Sequence, residues 1–248
     1  MIWKASEGPL QIRPIAGTLY RLVESQEQVA TLGYVDTLEE QALLEDLLEA
    51  VKPEYPDIQG DYNYLLKTPF RYPPLKWGSR FGRTHEPSLF YGGCSMAATL
   101  AESAYYRFVF WDSIEAEAIK PCIRSEHTLF WVDYFTPDGV QLQSPPFSNF
   151  EYELTHPTDY GATQALGAVM REAGVEAFEY RSARAAAREH CVGLFIPNAF
   201  TQNQPAGMNQ WLCEVSASEV AFKQLANSDV YRFPVEGFLM EQVLPVPA

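Results

Sequence analysis

The chain has 248 residues, of which 47% are hydrophobic, 14% aromatic and 20% charged. That composition excludes a disordered chain, and at this length folding buries roughly three quarters of the unfolded surface, so the core needs no metal or disulfide staple. With 18 Lys+Arg against 32 Asp+Glu the formal charge is −14, a field that repels phosphate backbones and argues against nucleic acid as partner, although a few arginines converging in a cleft still accommodate a small anion.

Met1 to Leu10 carries Lys4 and Glu7 in place of an apolar leader. With no long apolar run, a soluble, cytoplasmic protein without membrane contact is expected. Thr18 to Val23 reads as a short strand. Thr37 opens a helix with Glu40 at capping-box spacing; Leu44, Leu47, Leu48 and Val51 mark its buried face, and Glu39, Glu40, Glu45, Asp46 and Glu49 its solvated one. Between Lys52 and Leu75 stand Pro53, Pro56, Pro69, Pro73 and Pro74 among tyrosines, a density that forbids a long helix and predicts an ordered loop over the core.

Lys76 to Phe81 and Ser88 to Tyr91 read as strands, Gly92-Gly93 ends the second, and Ser95 caps a helix to about Trp111. His127 to Phe135 is a strong strand pattern. Asp159 to Ala173 repeats apolar residues at Ala162, Ala165, Leu166, Val169 and Met170 and stops at Gly174. Strands follow at Val175 to Tyr180, Cys191 to Ile196, Trp211 to Val215, Glu219 to Phe222 and Val230 to Phe233. Neither strand–helix alternation, nor a repeat, nor a Walker or GxGxxG loop is present, so the prediction is an α+β fold on a mixed sheet with flanking helices.

Arg80, Tyr91 and Glu102 stand eleven positions apart. From local sequence, Arg80 pairs with any acid, Tyr91 is a core aromatic and Glu102 a solvated helix residue as readily as any of them is functional. The helical neighbours of Glu102 are Ala98, Thr99, Tyr105 and Tyr106, a small and aromatic face on which a carboxylate needs a reason. Arg181-Ser182-Ala183-Arg184 follows the strand ending at Tyr180, which places a hydroxyl and two guanidinium groups at a strand end; Ser182 reads equally well as a helix N-cap.

These residues resemble the RES-domain family, named for an arginine, a glutamate and a serine, here Arg80, Glu102 and Ser182. The resemblance covers Tyr20-Arg21, Pro69 to Leu75, Gly78 to Phe81, Phe90 to Gly92, Ala101 to Arg107 and Tyr180 to Arg184. The resemblance implies that residues 1–248 form one such domain, with a core over 18–200, a helix and Pro-rich insertion over 37–75 and a strand-rich tail over 201–248. The chain departs from many shorter members, which carry arginine-tryptophan-asparagine where it has Arg80-Phe81-Gly82.

The resemblance implies a split mixed sheet similar to that of the ADP-ribosyltransferase toxins, with an NAD cleft. It further implies a toxin that cleaves NAD at the nicotinamide–ribose bond or passes ADP-ribose to a protein, encoded beside an Xre-type antitoxin that blocks the site. NAD is then substrate, with no cofactor. Arg21 and Arg80, with Arg71 as a weaker choice, are expected to clamp the pyrophosphate bidentately. Glu102 would face the cationic C1′, Tyr91 would pack on nicotinamide or ribose, and Ser182 would hydrogen-bond the ribose or a phosphate. A catalytically inactive NAD-binding or antitoxin-binding module is the alternative from another class.

His85, His127, His156 and His190 show no metal-ligand spacing, and no metal is expected. Cys94, Cys122, Cys191 and Cys213 lie too far apart for a zinc ribbon and read as free thiols. Tyr105, Tyr106, Phe108, Phe110 and Trp111 read as core aromatics.

Overall fold

The computed structural model describes residues 1–25, 34–56, 60–115 and 120–246. The β-branched and aromatic runs become strands β1 (Arg13–Glu24), β2 (Phe90–Gly93), β3 (Ile123–Gln141), β4 (Ala177–Arg181), β5 (His190–Leu194), β6 (Gly207–Val215), β7 (Glu219–Gln224) and β8 (Val230–Pro234). Six α-helices are described: α1 (Ile2–Ala5), α2 (Leu38–Ala50), α3 (Tyr64–Arg71), α4 (Met96–Asp112), α5 (Glu151–Leu154) and α6 (Gly161–Glu172). The fold is α+β, and no described helix is long and apolar enough to cross a membrane.

One mixed sheet takes the order β1-β2-β5-β4-β3-β6-β7-β8, and a further pairing of β1 with β3 closes its first five strands into a circuit. The 19 residues of β3 serve both parts of the sheet. Its first half pairs with β6, from Ile123↔Val215 to Trp131↔Gly207, and its end pairs in parallel with β4, from Gly139↔Ala177 to Gln141↔Glu179. Alternation along β3 buries Leu129, Val132 and Tyr134 in separate apolar clusters. Each such side chain contributes roughly 1.5–3 kcal/mol of burial, which favours this long strand over the shorter run its central pattern predicts.

Three expectations are corrected. Lys76 to Phe81 is not a strand: Gly78 adopts φ +76°, and Ser79 and Gly82 form an isolated bridge that closes a turn. A side chain, not a sheet partner, satisfies that backbone, since Gln164 Nε2 donates to the carbonyl oxygens of Trp77 at 2.9 Å and Ser79 at 3.1 Å. The Pro-rich stretch contains α3, eight residues with Pro69 inside it, whose Leu65, Leu66 and Phe70 are buried.

The third concerns α2. Leu47, Leu48 and Val51 are exposed and Leu44 half-buried, while Gln41 is buried. The helix attaches by its polar edge, where Glu49 pairs with Arg71 of α3 at 2.6 Å. Thr37 caps it as predicted, accepting from Glu40 N at 3.1 Å. The Glu40 carboxylate, however, accepts from Asp36 N at 2.9 Å, one residue short of the expected reciprocal bond.

Candidate active site

Glu102 owes its position to the way α4 is seated. Ser95 caps the helix by accepting from Ala98 N at 3.0 Å. Thr99 Oγ1 lies 3.1 Å from the Tyr20 carbonyl oxygen of β1. A Cβ on Gly93 would stand 2.4 Å from Thr99 Oγ1, so only glycine lets β2 run this close beneath the helix. Ala98, Thr99, Ala101 and Tyr105 are buried around it.

The glutamate is held from behind. Ser182 Oγ donates to Glu102 Oε1 at 2.5 Å and accepts from the backbone N–H groups of Arg184 and Ala185, each at 3.1 Å. Two donors into the hydroxyl oxygen leave its one proton for the carboxylate. Cys191 Sγ lies 4.0 Å from the same oxygen, and burial raises its thiol well above the ordinary range, which keeps it neutral.

Arg80 stands on the Gly78–Gly82 turn. A Cβ on Gly167 of α6 would come 1.9 Å from the Phe81 carbonyl oxygen, so the helix meets this turn at a distance only glycine permits. The Arg80 Nη1 donates to the His156 carbonyl at 2.8 Å, and its guanidinium lies 4.5 Å from the Tyr160 ring centroid. Arg21 Nη1 donates to the Tyr91 carbonyl at 2.6 Å, its Nε is buried without a hydrogen-bond partner, and burial lowers its pKa to about 10, so it remains charged at neutral pH.

The Tyr91 hydroxyl accepts from Phe81 N at 3.1 Å and shares a 2.9 Å hydrogen bond with Ser79 Oγ; burial pushes its pKa up to about 12. It braces the turn that carries Arg80.

Arg21, Arg80, Tyr91 and Glu102 line one cavity of about 1030 Å³, at the upper end of the roughly 300–1,000 Å³ range of small-molecule sites. Ser182 is not among its lining residues and reaches it through Glu102. Arg71 is directed away, bonded to Glu49 and the Pro53 carbonyl and stacked 4.2 Å from the Tyr55 ring centroid. The Pro-rich stretch nevertheless supplies wall residues, including Tyr64, Pro69 and Tyr72.

Sequence reasoning left Arg184, Tyr160, Arg107 and His127, which also line the cavity, without a role. Arg184, two positions beyond Ser182, and Arg107, at the end of the Ala101 to Arg107 stretch, were within reach of the motif; Tyr160 and His127 lack any local signal. Arg107 pairs with Glu24 at 2.6 Å. The His127 Nε2 is 2.9 Å from Ser125 Oγ, and burial and Arg107 lower its pKa to about 4, leaving it neutral. Tyr106 and Phe110, expected in the core, also line the cavity, whereas Tyr105 and Phe108 are buried. Among the described residues no ion pair involves Arg21, Arg80 or Arg184.

No curated protein matches the sequence. The fold is similar to that of a chain in the crystal structure of the M. tuberculosis MbcT-MbcA toxin-antitoxin complex, at 12% identity and a TM-score of 0.51, covering 84% of this chain and 91% of that one. The RES domain matches residues 56–216, more than half of the sequence, and with Arg80, Glu102 and Ser182 all inside that span the chain belongs to the RES domain family.

Proposed function

We propose that this protein is an NAD-consuming toxin that cleaves the nicotinamide–ribose bond and is restrained by a partner antitoxin of the Xre type. The observation that carries this reading is that Glu102 shares a cavity with Arg21, Arg80 and Arg184, none of which makes an ion pair among the described residues. Arg21 and Arg80 grip the diphosphate. As the C1′–N bond breaks, its electron pair leaves with nicotinamide and positive charge develops on the ribose. The Glu102 carboxylate stabilises that charge while Ser182 holds it in place. Water then adds to C1′ and loses a proton to give ADP-ribose; inorganic phosphate as acceptor gives the phosphorylated ribose. The toxin role rests on the family and on the likeness to a chain of a toxin–antitoxin complex. An antitoxin with basic, DNA-binding character complements the acidic surface.

Purified protein incubated with NAD, with and without phosphate, should release nicotinamide, and Glu102→Ala should not. Absence of release from the free wild-type chain would refute the reaction. Labelled NAD with a cell lysate tests the ADP-ribosyltransferase alternative through a labelled protein band. Calorimetry showing NAD binding without turnover would point to an inactive binding module. Expression without the antitoxin should arrest growth and lower cellular NAD; normal growth with normal NAD removes the toxin assignment.

A further inference from the structure

The segment between α5 and α6 does something that neither its sequence nor the family motif explains. Together with the last residue of α5 it offers three backbone acceptors, the carbonyls of Leu154, His156 and Pro157, to two arginines from distant parts of the chain. Arg80 Nη1 lies 2.8 Å from the His156 carbonyl oxygen and 3.4 Å from that of Leu154. Arg184 Nη2 donates to the neighbouring Pro157 carbonyl at 2.7 Å. Each guanidinium also lies against a tyrosine ring, Arg80 at 4.5 Å from the centroid of Tyr160 and Arg184 at 3.5 Å from that of Tyr105. Two like charges are thereby fixed on one short segment, both in the cavity wall, with Arg184 only 9% exposed.

Carbonyl oxygens fix the direction of a guanidinium but do not cancel its charge. Burying a cation costs several kcal/mol unless an anion compensates it, and here buried Arg184 and half-buried Arg80 bond to neighbouring carbonyls with no carboxylate in ion-pair contact among the described residues. The arrangement becomes favourable when a ligand brings negative charge to both. The Pro157 carbonyl is the acceptor that the Arg184 guanidinium meets among the described residues, and the residue lines the cavity. A fork of this geometry matches phosphate oxygens in pairs, which a lysine does not.

We infer that Arg184 is a substrate-binding, specificity-determining residue that acts beside Arg80 as the second jaw of a guanidinium clamp, selecting a diphosphate-bridged dinucleotide. This rests on the reading of the cavity as a nucleotide site. The backbone N–H of Arg184 is also a donor to Ser182, so one residue ties the phosphate jaw to the hydroxyl that holds Glu102.

The test measures binding of inorganic pyrophosphate and of ADP-ribose by calorimetry, and the steady-state kinetics of nicotinamide release, for wild type, Arg184→Gln and Arg184→Lys. Arg184→Gln should weaken both ligands at least tenfold and raise KM for NAD at least tenfold, with kcat within threefold. A merely structural Arg184 would lower kcat and the melting temperature and leave pyrophosphate affinity within twofold of wild type, which overturns the clamp. If Arg184→Gln does not fold, Arg184→Lys decides: pyrophosphate should bind at least threefold more weakly, and unchanged affinity overturns the inference. A wild type that binds pyrophosphate through Arg184 yet releases no nicotinamide removes the proposed reaction and leaves the clamp. Normal turnover with an unaltered KM in Arg184→Gln removes the clamp alone.

Discussion

Ser182→Ala tests whether the serine serves the glutamate or the substrate. In the structure its hydroxyl donates to Glu102 at 2.5 Å and accepts two backbone N–H groups, and the residue is 6% exposed. Removing the oxygen deletes a charge-assisted hydrogen bond contributing about 1.5–3 kcal/mol and strands donors that cost about 1–3 kcal/mol each when left unpaired. Part of that loss falls on the fold. A destabilisation of about 2–4 kcal/mol lowers the melting temperature of a chain this size by about 5–15 °C. The rest falls on Glu102: about 1.5–3 kcal/mol of lost positioning reduces kcat roughly ten- to a hundredfold. KM for NAD should change less than threefold, because Ser182 does not line the cavity. Nicotinamide release across NAD concentrations separates the two constants, and a thermal melt reads stability. A rise in KM with kcat preserved would refute the reasoning and restore the serine as a direct ribose or phosphate ligand.

Other substitutions probe the remaining parts of the site. Glu102→Gln keeps the shape and removes the charge; at ~4 Å and an effective dielectric of about 20 the lost attraction is roughly 4 kcal/mol, so kcat should fall on the order of a thousandfold, as read by nicotinamide release. Gly167→Ala places a Cβ where only 1.9 Å separates it from the Phe81 carbonyl; the overpacking should cost about 1–3 kcal/mol in urea unfolding and raise KM by moving Arg80. His127 has a folded pKa of about 4 against an ordinary 6.5, so the unfolded chain binds more protons between those values, and its contribution is lost as pH falls through that window. Urea unfolding should show about 2 kcal/mol less stability at pH 5 than at pH 7 from this residue alone, and His127→Phe should flatten that slope.

The sequence patterns identified elements better than they identified partners. Ser95 starts α4 where its hydroxyl and the glycines before it require, because an N-cap is read from adjacent residues. The apolar repeat of α6, the mostly apolar runs of β4 and β5 and the alternation in β6 to β8 are equally local. The turn bearing Arg80 escaped because its geometry is set by Gly167 and Gln164, residues far along the chain. The orientation of α2 escaped because periodicity reveals an apolar face but not whether the body of the protein covers it; the helix is attached through the ion pair from Glu49 to Arg71, with Leu47, Leu48 and Val51 exposed. The role of Arg71 followed, since an arginine beside a motif is indistinguishable in sequence from one within it. Ser182 and Glu102 were both legible as polar residues in unusual settings, yet their bond joins positions 80 residues apart.

The cavity also bears on how a chain of formal charge −14 would take the anionic substrate proposed for it. Among its lining residues the carboxylates are Glu24 and Glu102, and the arginines are Arg21, Arg80, Arg107 and Arg184. Glu24 pairs with Arg107, and His127 is neutral because of its burial. What remains is three guanidiniums against Glu102. The acidic residues that dominate the composition stand elsewhere, screened over roughly 8–10 Å at moderate ionic strength, while the cavity cations act at contact distance in a medium of lower dielectric. Raising salt should therefore change NAD affinity much less than replacing any one of these arginines. A steep loss of affinity between 50 mM and 500 mM salt would show that long-range field, not the local clamp, recruits the substrate.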